Sequence, residues 1–410
     1  MKNLFNFSRI QLKVKVSKEN MKSILFLISR YPGYGGIESV TTVLANQWIK
    51  QYRVTICSII QQAEEKLMHQ LDSNVAFYKM PYSGLKVSRE NINFLKSIVA
   101  KENIDTVIFQ DSYYPCQYLL PPLKDYKDLK IIEVEHSSPS GFEIQYNEYL
   151  KGLSYCNIYC RFKAWFYFQK SLRNEKRNRR LIYDVCDKYV MLAKGLIPQC
   201  QKYGHFEDDD KFEVIGNPIS INNTNANLSL KKKECLFVGR LDSMKGIDRL
   251  VRIWANVECY IKDWVLVIVG DGVMMSELKN VINRYELRNV RIEGFQTDVE
   301  QYYQRASIFC MCSMYEGFPM VLPEAMSFGV VPIVFNSFAA LDDILIDGKD
   351  GIKIKPFDEK SYGESLIGLI LDDHKLKKMQ NQALEDSQKF SIFSVLEKWK
   401  LLFENLKDHD

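Results

Sequence analysis

The sequence predicts an α/β protein of two Rossmann-like domains that face each other across a deep cleft. Three observations carry that expectation. The chain has 410 residues, too many for one ordinary core. Short, continuously apolar runs alternate with stretches whose apolar residues recur at helical spacing, and this alternation runs through two separate series. Between the series lies NPISINNTNANLSLKKKE (217–234), polar, asparagine-rich and without period, which reads as a linker. The expected domains are therefore 21–218 and 219–390, with a last helix in 391–410.

The first series opens at SILFLIS (23–29) and continues with VTICSI (54–59), TVIF (106–109) and KIIEVE (130–135). Strands apolar on both sides belong to a parallel sheet covered on both faces. The glycine-rich turn GYGGIE follows the first strand, and SVTTVLANQWIK then has helical spacing. The rhythm breaks at 141–180, which is long, aromatic and then basic, and KYVML (188–192) and FEVIG (212–216) restore it. The second series runs through ECLFVGR (234–240), helical GIDRLVRIWANV, WVLVIVGDG (264–272), VRIEGF (290–295), SIFCMC (307–312) and VVPIVF (330–335). Helical SYGESLIGLIL (361–371) and the amphipathic SIFSVLEKWKLLFENL close the chain. Residues 1–20 lack a clean apolar core and a small-residue cleavage site, so they read as a disordered leader or an over-extended start ahead of Met21.

Composition narrows the function. A hydrophobic fraction of 46% with 26% charged residues describes a soluble globular chain, and a net charge of +4 gives no reason to expect nucleic acid as a partner. The ten cysteines form no CxxC pair, and neither Cys156/Cys160 nor Cys310/Cys312 has a matching His or Cys cluster. They read as reduced thiols of a cytosolic protein, with no zinc site. No apolar run approaches the roughly 20 residues needed to cross a bilayer.

Chemistry concentrates in the second series. In FVGRLDSMKG (237–246), Gly239 lets the chain turn after a strand, and Arg240 and Lys245 place two cations five residues apart. Such a pair suits a diphosphate, and equally describes solvated surface cations when taken alone. The stretch YEGFPMVLPEAMSFGVVPI (315–333) carries Glu316 and Glu324 around Pro319 and Pro323. Pro323 fits the first turn of a helix, and the N–H groups of Leu322 to Ala325 would then stand free as an anion site. One carboxylate would hold sugar hydroxyls and the other a ribose, with a diphosphate between them. Either glutamate alone is as readily a loop or cap residue.

The order GRLDxxKG, GDG and EGFPMVLPEAMSFG resembles retaining glycosyltransferases of family 4, which have the GT-B fold. The resemblance extends over nearly the whole chain from Met21 and is strongest in 234–335. It implies that Arg240 and Lys245 grip the diphosphate of a nucleoside-diphosphate sugar. It implies further that Glu316 faces the donor sugar and that Phe318 and Pro319 offer backbone groups to its hydroxyls. Met320, Val321 and Leu322 would lie along the diphosphate, Glu324 would bind the ribose, and Phe295 would lie near the base. Gly270 and Gly272 would shape the cleft, and Gly239 would stand with Gly36 among the donor-binding residues. The first domain would bind the acceptor, the second the donor, and the last helix would cross back onto the first domain.

Two elements of the first domain match the same family. YPGYGGIE (31–38) stands where such enzymes carry a glycine loop, and Gly35 and Gly36 would admit phosphate or acceptor close to the backbone. His136 in EVEHSSP stands where the family's histidine points at the donor sugar; His69, His205, His374 and His409 sit in polar or terminal contexts and read as solvated. Between Arg161 and Arg180 lie eight Lys or Arg against one acid, preceded by Trp165, Phe166, Tyr167 and Phe168. This segment would hold an anionic membrane surface or a lipid-diphosphate acceptor, or is an ordinary exposed helix.

The expected function is transfer of a sugar, with retention, from a nucleoside-diphosphate sugar to a hydroxyl of a glycan or lipid-linked oligosaccharide, without a metal or other cofactor. A UDP-sugar is the favoured donor. The setting would be capsule, lipopolysaccharide or exopolysaccharide synthesis in the cytoplasm or on the inner face of the cell membrane. Two other readings stay open: a nucleotide-sugar-binding subunit without catalysis, and another two-domain enzyme such as a sugar-nucleotide epimerase. A dehydrogenase is disfavoured because GYGGIE lacks the GxGxxG spacing.

Overall fold

In the computed structural model the described residues are 21–60, 65–83, 88–110, 115–152, 158–207, 210–221 and 226–406. The expected leader, 1–20, lies outside them, as does His409.

The first domain contains β1 (Ser23–Arg30), α1 (Gly36–Trp48), β2 (Arg53–Ile60), β3 (Ala76–Lys79), α2 (Arg89–Lys101), β4 (Thr106–Phe109) and β5 (Lys130–Glu135). It continues with α3 (Gly141–Gly152), α4 (Ile158–Val185), β6 (Lys188–Met191), α5 (Ile197–Gly204) and β7 (Phe212–Val214). Its seven strands lie in the order β3-β2-β1-β4-β5-β6-β7, all parallel. The second domain runs through β8 (Glu234–Val238), α6 (Ile247–Tyr260), β9 (Val265–Val269), α7 (Met275–Arg284), β10 (Val290–Gly294), α8 (Glu300–Arg305), β11 (Ile308–Met311) and α9 (Val321–Ser327). Then come β12 (Val331–Phe335), α10 (Leu341–Ile344), β13 (Ile352–Ile354), α11 (Glu359–Leu371), α12 (Asp373–Asp386) and α13 (Ile392–Asn405). Its six strands lie in the order β10-β9-β8-β11-β12-β13, again all parallel.

The two sheets form for the reason the sequence gives. β1, β4 and β11 are apolar and buried on both faces, which only a sheet sandwiched between helices can satisfy. Helices start where side chains can take up free amides: Ser88, Asp358, Asp372 and Ser391 accept from the backbone N–H three residues on. Each such cap is worth about 1 kcal/mol. The order of each sheet reverses direction beside its first strand, between β1 and β4 and between β8 and β11. Ligands of open α/β sheets bind beyond the carboxyl ends of the strands at that point. The glycine loop 31–36 and the loop 239–246 leave β1 and β8 at these two places.

α13 returns to the first domain. Trp399 and Phe403 meet Trp48 of α1, with ring centroids 5.4 Å apart in both cases, and Phe403 reaches Tyr52 at 5.7 Å. The linker is less free than its composition implies. The Ile219 N–H donates to the Phe390 carbonyl at 2.9 Å, and Asn217 is buried.

Candidate active site

The loops that end β8 and β11 bring two predicted residues into contact. After β8 the chain turns through Gly239, whose N–H donates to Val269 O at 3.0 Å. Gly270 lies across it with φ of 144°, and a side chain there would strike the Gly239 carbonyl. This close crossing of backbones explains the glycine at the end of β9. Asp242 accepts from the Lys245 N–H at 3.1 Å and so shapes the single turn Ser243–Lys245. The Lys245 Nζ then stands 2.7 Å from Glu316 Oε1, with the two side chains 23% and 13% exposed. Arg240 projects from the rim, 74% exposed, its guanidinium 3.4 Å from Asp242.

Glu324 is set deeper than Glu316. It is buried on α9 and accepts from the Ser220 hydroxyl at 2.6 Å and the Tyr303 hydroxyl at 3.2 Å. Burial raises its pKa, and the two hydroxyls oppose that shift. One expectation about α9 needs correction. The amides of Leu322 to Ala325 are not a free row: Leu322 N–H donates to Pro319 O and Glu324 N–H to Met320 O, each at 3.1 Å, and Pro323 has no N–H. The chain enters α9 through Met320 in helical conformation and the helix begins at Val321, so these bonds form two residues earlier than a start at Pro323 would allow. The same bond occupies the Pro319 carbonyl. The Phe318 ring turns inward, 5.6 Å from Phe390. Val321 begins α9 and Leu322 is fully buried.

The first domain closes over these loops. A side chain on Gly317 would strike the His136 carbonyl oxygen. Tyr315 lies against Gly141, and its hydroxyl bonds to the Gln145 amide of α3 and lies 3.4 Å from the Met244 sulfur. A Cβ at Gly36 would stand 3.7 Å from Met320, and Tyr34 meets Phe295 edge-on at 5.4 Å. His136 follows β5 and points toward α1. Its Nε2 lies 2.9 Å from Gln110 Oε1, beside a cavity of about 10 Å³ that Val134 and Trp399 also line. Burial pushes its pKa down to about 4, against the pull of Glu135. The imidazole is therefore neutral near pH 7, and with Gln110 Oε1 accepting, Nε2 carries the proton.

The structure thus gathers Lys245, Glu316 and the His136 turn at one junction, with Arg240 on its rim. Gly36, Met320 and Phe295 line the approach, and Glu324 lies behind. Sequence reading missed Gln110, Gln145, Ser220, Tyr303 and Tyr315. Only Tyr315, next to Glu316, stood inside a motif. Among the described residues no group of three or more His, Cys, Asp or Glu is arranged to hold a metal, and no helix is long and apolar enough to cross a membrane.

Residues 221–386 match the family model described as glycosyl transferases group 1. An uncharacterized glycosyltransferase of Haemophilus influenzae is 27% identical over 385 residues, covering 93% of this chain and 99% of that protein. The GalNAc-alpha-(1->4)-GalNAc-alpha-(1->3)-diNAcBac-PP-undecaprenol alpha-1,4-N-acetyl-D-galactosaminyltransferase of Campylobacter jejuni is 26% identical over 245 residues, covering 56% of this chain and 63% of that protein. Anabaena Alr3699/HepE, solved in complex with UDP and glucose, superposes with a TM-score of 0.71 at 17% identity, covering 94% of this chain and 100% of that one. The fold is GT-B, and the chain is a glycosyltransferase.

Proposed function

We propose that this enzyme transfers a sugar, with retention, from a UDP-sugar to a hydroxyl of a glycan or lipid-linked oligosaccharide during surface polysaccharide synthesis. The observation that carries the reading is the Lys245–Glu316 pair, held at the carboxyl ends of β8 and β11 and facing the His136 turn of the other domain. UDP and glucose in HepE, and the undecaprenol-linked name of the Campylobacter relative, support the donor and the acceptor class.

The chemistry follows from charge. As the sugar–phosphate bond breaks, the diphosphate gains negative charge. Arg240 and Lys245 stabilise it in a site that the closed domains shield from water. This positive charge makes a metal unnecessary. Glu316 faces the sugar as it becomes oxocarbenium-like. The acceptor hydroxyl enters on the face the diphosphate leaves, and a phosphate oxygen takes its proton. Glu324, hydrogen-bonded to Ser220 and Tyr303, holds the ribose, and Phe295 lies beside the base. The exposed aromatic and basic side chains of α4 rest the enzyme on the inner face of the membrane.

The test is thermal stability with UDP, GDP, ADP and NAD in turn, on wild type and Lys245→Ala. UDP at about 100 times its Kd adds about 2.7 kcal/mol to the folded state. The expected result is a shift of wild type by UDP that the variant loses. A shift by NAD alone, or by none of the four, would overturn the reading. Release of UDP from a UDP-sugar separates an enzyme from a binding subunit.

A further inference from the structure

The turn that carries His136 is fixed from the far face of the first sheet. Side chains alternate along a strand, so His136 points toward α1 while Glu135 points toward α4. There Glu135 is fully buried. Its Oε2 accepts from the Arg179 guanidinium and from the Tyr189 hydroxyl, the latter at 3.1 Å. Its Oε1 accepts from both the hydroxyl and the N–H of Ser137, the latter at 3.3 Å. Arg179, 2% exposed, is steadied in turn by Glu175 at 3.2 Å.

Two buried charges of this kind give little net stability over a well-packed apolar pair. Their geometry is more telling than their energy. All four bonds end on Glu135, the residue just before His136, and two of them come from Ser137, the residue just after it. The backbone they fix, His136–Ser137, is the surface that Gly317 meets when the domains close, one residue from Glu316.

We propose that Glu135 and Arg179 are positioning residues: their buried ion pair holds the His136–Ser137 turn against the Glu316–Gly317 loop and so sets His136 relative to the reacting sugar carbon. The assignment rests on the glycosyltransferase reading above. Neither side chain touches the donor. α4, whose exposed residues face outward, thereby reaches the reaction centre through its one buried arginine.

The experiment compares wild type with Glu135→Gln/Arg179→Met, which removes both charges while keeping both shapes, and with Ser137→Ala, which removes the hydroxyl arm and leaves the pair in place. Three quantities are measured: the thermal shift with UDP, kcat and KM for UDP release from UDP-glucose, and the imidazole 15N shifts of His136. In the double variant UDP affinity stays within about twofold, because Lys245, Arg240 and Glu316 are untouched, and kcat falls about 30-fold or more at nearly constant KM. The His136 shifts move from one tautomer toward a mixture. Ser137→Ala shows the same pattern at about one-third of the logarithmic effect, and it decides the matter if the double variant fails to fold. A folded double variant, or Ser137→Ala in its place, with wild-type kcat and unmoved His136 shifts would show the pair to be scaffolding only. If wild type neither binds UDP nor releases it from UDP-glucose, the functional reading fails, and the His136 shifts still report whether the pair positions the turn.

Discussion

Lys245 already has a partner before any phosphate arrives. The two side chains are largely covered, 23% and 13% exposed, so the cost of desolvating both charges offsets much of their attraction, and an incoming diphosphate can take the ammonium from Glu316 without a large net loss. The two roles then separate on mutation. Glu316→Gln removes a negative charge from the phosphate's neighbourhood and frees Lys245, so UDP should bind about 3- to 10-fold tighter, consistent with a Coulomb term of order 1 kcal/mol. Turnover should fall at least 100-fold if Glu316 faces the sugar; calorimetry and UDP release check the two halves, and weaker UDP binding would contradict the first. His136 gives a second prediction. Its folded pKa of about 4 lies below the ordinary 6.5. The unfolded chain takes up a proton as pH falls through 6.5 and the folded protein does not, so this group's contribution is complete above 6.5 and is lost down to about 4. Over that window wild type should lose roughly 3 kcal/mol more stability than His136→Gln. Urea midpoints at pH 7 and pH 4.5 measure the difference, and parallel pH profiles would mean the imidazole is not held neutral. Sequence motifs pointed to Lys245, Glu316 and His136. They could not point to Ser220, 104 residues from Glu324, or to Gln110, 26 residues from His136, because such contacts leave no local pattern.

Elements were legible where burial is complete and obscure at the margins. β3 and β13 were missed: each lies at one edge of its sheet, they are four and three residues long, and neither is an apolar run. α12 was missed because its apolar positions are few among Lys, Asp and Gln. In α4, one of the cations expected to face an anionic surface, Arg179, is instead buried on Glu135. The exposed residues include Ile158, Tyr159, Phe162, Trp165, Phe166 and Tyr167, followed by Lys170, Arg173 and Lys176. Aromatic residues beside cations suit the boundary between headgroups and acyl chains. Lys170, Arg173 and Lys176 changed together to Gln should weaken co-sedimentation with anionic vesicles by about 100-fold, at about 1 kcal/mol per cation. Phe162, Trp165 and Phe166 changed to Ser should weaken it at high salt as well, where the charges are screened. Unaltered binding in both variants, or no binding by wild type at low salt, would make α4 an ordinary exposed helix.

At the scale of the whole molecule, the two sheets matter because their carboxyl ends meet. Specific contacts cross the junction. Gly195 N–H donates to Asp343 at 3.0 Å, the Gln145 amide donates to the Tyr315 hydroxyl, Tyr34 meets Phe295, and Gly317 meets the His136 carbonyl. The last of these allows a test of closure itself. The atoms nearest to a side chain at Gly317 belong to His136 and Ser137, both in the other domain. Separating the domains relieves that collision, so Gly317→Val should fold and keep its nucleotide grip, which lies within the second domain. What it should lose is the closed state that brings His136 to the sugar and excludes water. The expected outcome is UDP affinity within about threefold of wild type, melting temperature little changed, and kcat lower by about 100-fold or more, the scale seen when reacting groups are misplaced by an ångström. Small-angle scattering should show the variant keeping a larger radius of gyration with UDP-glucose, where wild type contracts. If Gly317→Val turns over donor at the wild-type rate, the contact between Gly317 and His136 is not part of the reacting state. His136 would then act, if at all, from a greater distance than the closed structure shows.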